Sequence, residues 1–476
     1  MNQKRLSILT KAGYGLGQTV ISIHDTVFNT FILFYYTQVL GLSGSMAGMA
    51  IAIAICFDAG TDPVMGFISD NFRSRYGRRH LFMAISGIPL AISVYAMFAP
   101  PSGLDQTSLF VWMVVSMVFA RGFYTIFGVP YLALGAEITE DYVERTTIST
   151  YRITFGWFMA IVVLVIAYFA FFPNTPEFEQ GQMNPAGYPQ LGLFIAVLIA
   201  IMALSCVYLT RKRIPFLQAP AVSSEFTAIS RFFSEVKMVI KNSSFRIFFS
   251  SYLSAGAIMG INLTLALHIN TYFWELNSED LALLMSSMLV SAVLAFALMK
   301  WVEKFDKKNT FLTLGCLTIF ANVLIVFRLL DLLPVNNTSL LFWMIYLQST
   351  ISATAAIMVL TVMGSILADA VDEGELENDI RQEGLYFAFL HFGSKMTTAF
   401  GAFLAGLIID FIKLPTGVPP DAIDPEVIWN LGFIYGPIVG ICWLIPVGIL
   451  YKLKLTRVRL LQIRQELDDR KKGVKF

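Results

Sequence analysis

Twelve apolar stretches, each long enough to cross a lipid bilayer, divide this 476-residue chain. They run at about 12–40, 44–69, 80–99, 107–136, 146–172, 190–210, 245–273, 280–302, 309–328, 338–368, 384–411 and 427–453. A hydrocarbon core takes roughly 20 helical residues to span. In lipid a segment must satisfy its own backbone hydrogen bonds, which leaves helices and closed barrels. The periodicity and length here are helical, so the expectation is an all-α membrane protein of twelve transmembrane helices. Only 14% of the residues are charged, against roughly a quarter in soluble domains. Small residues recur at close-packing spacing, as at Gly13, Gly15 and Gly17, or Ala402 and Gly406.

The connections predict an orientation. Loops after even-numbered spans are basic: Arg73, Arg75, Arg78 and Arg79, then Arg211, Lys212 and Arg213, then Lys304, Lys307 and Lys308. The tail adds Arg457, Arg459, Arg464, Arg470, Lys471, Lys472 and Lys475, whereas the opposite side offers only Arg328 and Lys413. Positive loops stay inside, so both termini are expected in the cytoplasm, with the chain integral to the cytoplasmic (inner) membrane. No small-residue cleavage site follows Met1-Asn2-Gln3-Lys4-Arg5, so no removable signal peptide is read. The longest inner connection separates six spans from six. The domain reading is therefore a bundle over 1–210, a cytoplasmic linker over 211–244, a second bundle over 245–455 and a tail over 456–476. Within the linker, Ile229, Phe232, Phe233, Val236, Val239 and Ile240 form one apolar face, which fits an interfacial helix or a solvated linker helix. Asp70 to Arg79 and Lys304 to Lys308 form a weak internal repeat, and paired bundles with a site between them are a common transporter plan.

The stretch Cys56-Phe57-Asp58-Ala59-Gly60-Thr61-Asp62-Pro63 lies inside the second apolar segment. On a helix Asp58, Thr61 and Asp62 share a face. A carboxylate at membrane depth costs about 3 kcal/mol on insertion scales, and two on one face repel, so something positive belongs between them. Pro63 frees the Ala59 carbonyl four residues back. Carboxylates, a hydroxyl and a carbonyl are hard oxygen ligands that suit Na⁺ or H⁺. The bland reading is a carboxylate pair neutralised by protein cations alone.

Other interior charges fall at similar depth. Asp58 is fourteen residues into its span, Asp25 thirteen, Arg121 fourteen and Lys395 eleven. Asp25, Asp58, Asp62, Arg121 and Lys395 sum to −3 + 2 = −1, which one monovalent cation would neutralise. Ser22 shares a face with Asp25, and Arg121, Thr125 and Gly128 form one stripe. Two readings of Arg121 stand: a structural partner of Asp25, or a charge for substrate. His24, His268 and His391 read as packed or hydrogen-bonded; Trp157 and Trp343 read as packing or as sugar-stacking platforms. The acidic inner loop from Asp369 to Glu383 opposes the basic loop Arg73–Arg79. It reads either as a solvated face or as an inner gate made of Arg73, Arg75, Arg78 and Arg79 with Asp369, Asp372 and Glu375.

A set of short motifs adds to this. They are Tyr14-Gly15-Leu16-Gly17, Phe34-Tyr35-Tyr36-Thr37, Asp58 to Pro63, Arg73-Ser74-Arg75-Tyr76-Gly77-Arg78-Arg79, Val129-Pro130-Tyr131, Glu144-Arg145-Thr146, Ala368 to Glu375, and Gly393-Ser394-Lys395. In this order and spacing the chain resembles the glycoside–pentoside–hexuronide:cation symporters of the major facilitator superfamily, over nearly its whole length. The resemblance implies the major facilitator fold, two six-helix bundles with alternating access. It implies a cation site of Asp58, Asp62 and Thr125, with Thr61 standing where the family commonly has Asn. It also implies a coupling role for Lys395. The two aspartates that hold galactosides in the family's melibiose carriers are replaced by Ser22 and Gly128.

The expected function is thus symport of a sugar, glycoside or sugar acid with Na⁺ or H⁺, with no cofactor. Candidate substrate residues are Ser22, Asp25, Arg121, Gly128, Arg152, Trp343, Gln348 and Thr398. With the galactoside aspartates gone and Arg121 added, an acidic sugar such as a hexuronide is favoured over a neutral one. A sodium-coupled lysolipid carrier is the alternative, since animal lysophospholipid carriers resemble the same family. A membrane enzyme is disfavoured, because the chain has no HExxH, no P-loop and no G-x-S-x-G. The four cysteines, all in apolar stretches, read as packing residues. The partners expected are the bilayer and a small molecule, with no nucleic acid, and the chain is read as a monomer.

Overall fold

The computed structural model describes residues 6–471 apart from 73, 140, 217–235, 303–305 and 379. Among the described residues it is all helix, turn and loop, without a strand. The long helices are α1 (Ile8–Phe34), α2 (Gly44–Asn71), α3 (His80–Phe98), α4 (Gln106–Glu137), α5 (Tyr142–Ile166) and α6 (Gly187–Thr210). After the linker come α7 (Ser243–His268), α8 (Ser278–Val302), α9 (Lys307–Leu329, broken at Asn322), α10 (Ser339–Asn378), α11 (Glu383–Phe411) and α12 (Pro425–Tyr451, with a π turn at Ile434–Ile438). A last helix, α13, spans Arg457–Lys471. Eleven helices among the described residues are long and apolar enough to cross a membrane. α1 is as long but carries Lys11, His24 and Asp25.

Helix starts follow local chemistry. Ser7, Ser43, Asp105 and Asp141 each accept a backbone N–H three residues on, capping α1, α2, α4 and α5. Asp424 caps α12 ahead of Pro425. α1 and α7 end alike. Each runs into a five-residue π turn, Tyr35–Val39 and Ile269–Phe273. The amides of Leu40 and Leu42 bond back to Tyr35 and Tyr36; those of Trp274 and Leu276 bond back to Ile269 and Asn270. The residue between each amide pair has positive φ: Gly41 at 79° and Glu275 at 52°. This shared ending is an internal repeat carried by backbone geometry, and side-chain identity hides it.

The chain divides into two compact units. The first comprises residues 1–222, 263–285 and 402–423; the second comprises 223–262, 286–401 and 424–476. The division is not a cut at the linker, because the end of α7 with the start of α8, and the end of α11, belong to the first unit. In that unit α1 packs on α5 and α6, α3 on α4 and α6, and α2 on α4. In the second, α9 packs on α10 and α12, and α13 lies along α10.

A neutral polar cluster closes the helix ends of the first unit. Tyr272 donates to Gln38 Oε1 at 2.9 Å. Gln182 Nε2 donates to Thr271 Oγ1 and to the Leu276 carbonyl, both at 3.1 Å, and Ser278 donates to Gln182 Oε1 at 2.9 Å. Thr37 lies 3.2 Å from His268 Nε2. Thr37, Gln38, Gln182, His268 and Thr271 are wholly buried. Beside it α11 caps α2: Gly44 and Ser45 donate their amides to Asp410 at 2.6 and 2.7 Å. A Cβ on Gly406 would overlap the Gly44 carbonyl, so only glycine permits this approach.

One expectation changes. The acidic segment after Ile366 is not a loop, because α10 continues to Asn378. Its carboxylates are paired: Asp369 with Lys307 at 2.6 Å, Asp372 with Arg464 at 3.3 Å, and Glu375 with Arg381 at 2.7 Å. The tail is likewise a helix, with Arg464 reaching Asp369 and Asp372 and Arg470 donating to the Leu376 carbonyl. The expected linker helix over 229–240 falls mostly outside the described residues; 236–241 is helical.

Candidate functional site: a carboxylate cluster between α1, α2 and α4

α2 continues through Pro63 to Asn71, so Asp58 and Asp62 stand one turn apart on one face. Asp58 is fully buried and Asp62 half-buried. α4 packs against this face and delivers Thr125. The Thr125 hydroxyl lies 2.5 Å from Asp58 Oδ1 and 3.1 Å from Asp62 Oδ1. A hydroxyl has one hydrogen, so it satisfies one carboxylate at a time. The two carboxylates thus share one donor hydroxyl, which gathers hard oxygens at one point. Thr61 turns its own hydroxyl back on its helix, donating to the Phe57 and Asp58 carbonyls at 3.0 and 3.2 Å. Its lone pairs remain for a cation.

One turn along α4, Arg121 is buried and lies between two acids. Its Nη1 is 3.4 Å from Asp25 Oδ1 and 3.7 Å from Asp58 Oδ2. The guanidinium lies over the Phe28 ring at 4.1 Å, which holds its plane. Asp25 has two further supports: Tyr124 donates to Oδ2 at 2.8 Å, and His24 Nδ1 lies 3.2 Å from Oδ1. The His24 ring is fully buried between Tyr124 and Phe28. The Asp25 side chain is 38% exposed, so the cluster has one open end.

The other candidates are spread more widely. Ser22 packs where a Cβ on Gly156 would sit, and Gly128 faces Ile21 with space beside it. Arg152 on α5 lies against the Tyr14 hydroxyl. Lys395, Thr398, Gln348 and Trp343 belong to the second unit. Lys395 is half-buried on α11, and Thr398 donates to the Ser394 carbonyl at 2.9 Å. Gln348 is half-buried on α10, and its Oε1 has no hydrogen-bond partner among the described residues. Trp343 and Trp157 are both exposed, and Trp343 meets Tyr346 edge-on at 5.4 Å.

The basic gate candidates pair with neighbours in the first unit. Arg79 is buried and donates to Glu137 at 2.7 Å and to Ser69 at 2.6 Å, and it also pairs with Asp70. Arg78 meets Glu137 at 2.8 Å. Arg75 donates to the Tyr76 hydroxyl at 2.8 Å and lies over that ring, and Arg73 lies outside the described residues.

Three residues of these clusters escaped sequence reasoning: Tyr124, Phe28 and Glu137. Tyr124 is i+3 from Arg121 and Phe28 is i+3 from Asp25, so both stood on stripes already drawn. Glu137 sits 58 residues from Arg79, and no local pattern links them.

A family model described as MFS/sugar transport protein matches residues 13–457. An inner membrane symporter of Escherichia coli (strain K12) is 23% identical, covering 86% of this chain and 84% of that protein. The glucuronide carrier protein homolog of the same organism is 25% identical, covering 99% and 98%. Among solved structures, a D-xylose-proton symporter superposes with a TM-score of 0.60 at 14% identity, covering 94% of this chain and 95% of that one.

Proposed function

Because this chain belongs to the MFS/sugar transport family, and within it to the glycoside–pentoside–hexuronide:cation symporters, it is a transporter and not an enzyme, and we propose how its residues divide the work. It is a multi-pass membrane protein that couples entry of a sugar, glycoside or sugar acid to entry of a cation by alternating access. Asp58, Asp62 and Thr125 hold the cation, Na⁺ or H⁺, with Thr61 as a further oxygen. The observation that carries this is the single Thr125 hydroxyl set against two carboxylates.

Asp25, with Tyr124 and Arg121, forms the substrate-facing end of the same cluster, supported by its exposure. Ser22, Gly128 and Arg152 border it, and Trp343, Gln348 and Thr398 contribute from the second unit. Lys395 couples the ion to the transport cycle. Arg75, Arg78 and Arg79 on one side and Asp369, Asp372 and Glu375 on the other are the inner gate, which exchanges the pairings described above during transport. The asymmetry of Lys and Arg supports cytoplasmic termini in an inner membrane. The relatives' names favour a sugar over a lysolipid.

The test is uptake into vesicles containing the purified protein, with a Na⁺ or H⁺ gradient imposed in turn and a panel of hexoses, glycosides and uronic acids offered. One gradient should drive accumulation of at least one sugar above its external concentration. Uptake that only equilibrates under both gradients would remove the symport reading.

A further inference from the structure

We propose that the paired ends of α3 and α6 bind one anionic phospholipid. Arg211 and Lys212 hold its headgroup, and its acyl chains lie along the two helices. These helices pack antiparallel and closely. His80 Nε2 lies 3.0 Å from Thr210 Oγ1 where α3 starts and α6 ends. Two turns in, a Cβ on Gly87 would come within 2.9 Å of the Ala203 Cβ. Along this stretch the pair exposes Ile85 and Ile88 from α3 and Leu204 and Tyr208 from α6. Three residues past Tyr208 the surface turns basic. Such a change marks the depth at which a helix leaves hydrocarbon for headgroups.

The charges at this end divide into two groups. Asp70 and Glu137 are taken by Arg78 and Arg79. Arg213 turns inward and donates to the Ile138 carbonyl at 2.9 Å. Arg211 and Lys212 are exposed, and neither meets a carboxylate among the described residues. Arg211 lies over the Tyr208 ring at 4.0 Å. A guanidinium on a ring face keeps its N–H donors at the edge, in the fork that matches a phosphate. Arg75 lies over Tyr76 in the same manner, at 4.8 Å. The two sets are neighbours. Gly77 has φ 84°, and a Cβ there would stand 3.1 Å from Ile214. The loop of Arg75 and Tyr76 therefore lies against the turn of Arg211 and Lys212. Three positive charges thus gather beside exposed apolar side chains, with no carboxylate of the described chain set against them. Basic groups in this position take anionic headgroups. A zwitterionic headgroup brings no net charge to balance them, and a soluble anion brings no chains to cover Ile85 and Ile88.

The experiment is native mass spectrometry of the purified full chain in detergent. It is titrated with phosphatidylglycerol, with phosphatidylcholine of the same chains, and with glycerol phosphate. Phosphatidylglycerol should bind about tenfold more tightly than phosphatidylcholine. A Lys or Arg near an anionic lipid surface is worth about fivefold in affinity. Arg211→Gln with Lys212→Gln should therefore weaken phosphatidylglycerol binding on the order of twentyfold and leave phosphatidylcholine binding unchanged. Tyr208→Leu keeps both charges but removes the ring under Arg211, and should cost about threefold. Lys237→Gln with Lys241→Gln removes two exposed charges from the linker and should change neither affinity. All these positions are exposed, so each variant should melt with the native protein. Equal affinity for the two lipids, or an equal loss in the two double variants, overturns the proposal. Glycerol phosphate binding as tightly as the lipid would make this a site for soluble phosphates and overturn it too.

Discussion

Two polar clusters in the first unit obey opposite rules. The helix-end cluster of Thr37, Gln38, Gln182, His268, Thr271, Tyr272 and Ser278 is neutral and buried, with bonds between 2.9 and 3.4 Å. The carboxylate cluster of Asp25, Asp58, Asp62 and Arg121 is charged, open at Asp25, and held by longer ion pairs of 3.4 and 3.7 Å. Buried neutral groups are stable when each has its partner and costly when one loses it. Charges sharing one counter-ion are poised to exchange it. The first cluster holds two helix ends together, and the second leaves its charges room to change partners.

Substitutions separate the two. The largest effect is expected at Asp58→Asn or Asp62→Asn. Each removes a ligand charge, and sugar accumulation in vesicles should drop to the equilibrium level while the folded protein persists. A mutant that still concentrates sugar would transfer the ion site elsewhere. Lys395→Ala should act next most strongly, flattening the dependence of uptake rate on the imposed ion gradient on the order of tenfold. Full gradient dependence at normal protein levels would show that Lys395 is only a packed cation.

In the helix-end cluster the readout changes from coupling to stability. Gln182→Ala strips partners from Thr271, Ser278 and the Leu276 carbonyl. It should cost about 1–3 kcal/mol, the penalty for a buried group left without a partner, and lower the melting temperature. A normal melting temperature with altered ion dependence would erase the distinction between the clusters. The smallest change is expected at Glu275→Gly. Glu275 has φ 52° where its counterpart in α1 is Gly41. Relief of the left-handed strain, less the entropy glycine adds to the unfolded chain, should stabilise by about 0.5 kcal/mol. A loss of stability would mean that the Glu275 side chain contributes more than the strain costs.

The relation between sequence and site shows the same split. The cation candidates were legible because they are local. Asp58 and Asp62 share a face of α2, and Arg121, Thr125 and Gly128 share a stripe of α4, by helical periodicity alone. Span positions were legible for the same reason, most to within about three residues. Two segments exposed the limit. The acids after Ile366 resemble a solvated loop, yet they are helical and neutralised by Arg381, Lys307 and Arg464. Arg464 lies 92 residues from Asp372. Composition cannot distinguish charge facing water from charge facing a distant partner.

What the sequence by itself determined is therefore the lipid-spanning class, the faces of single helices and the chemistry each face can offer. Hydrophobicity and the 3.6-residue repeat are properties of a short stretch of chain. The tertiary structure decided which faces meet. It brought Thr125 to both carboxylates, set Arg121 between Asp25 and Asp58, and buried His24 beside Tyr124. It also carried the ends of α7 and α11 into the first unit, across the sequence midpoint. These depend on helix neighbours and side-chain rotamers, which are fixed by packing between segments far apart in the chain and carry no signature in any one of them.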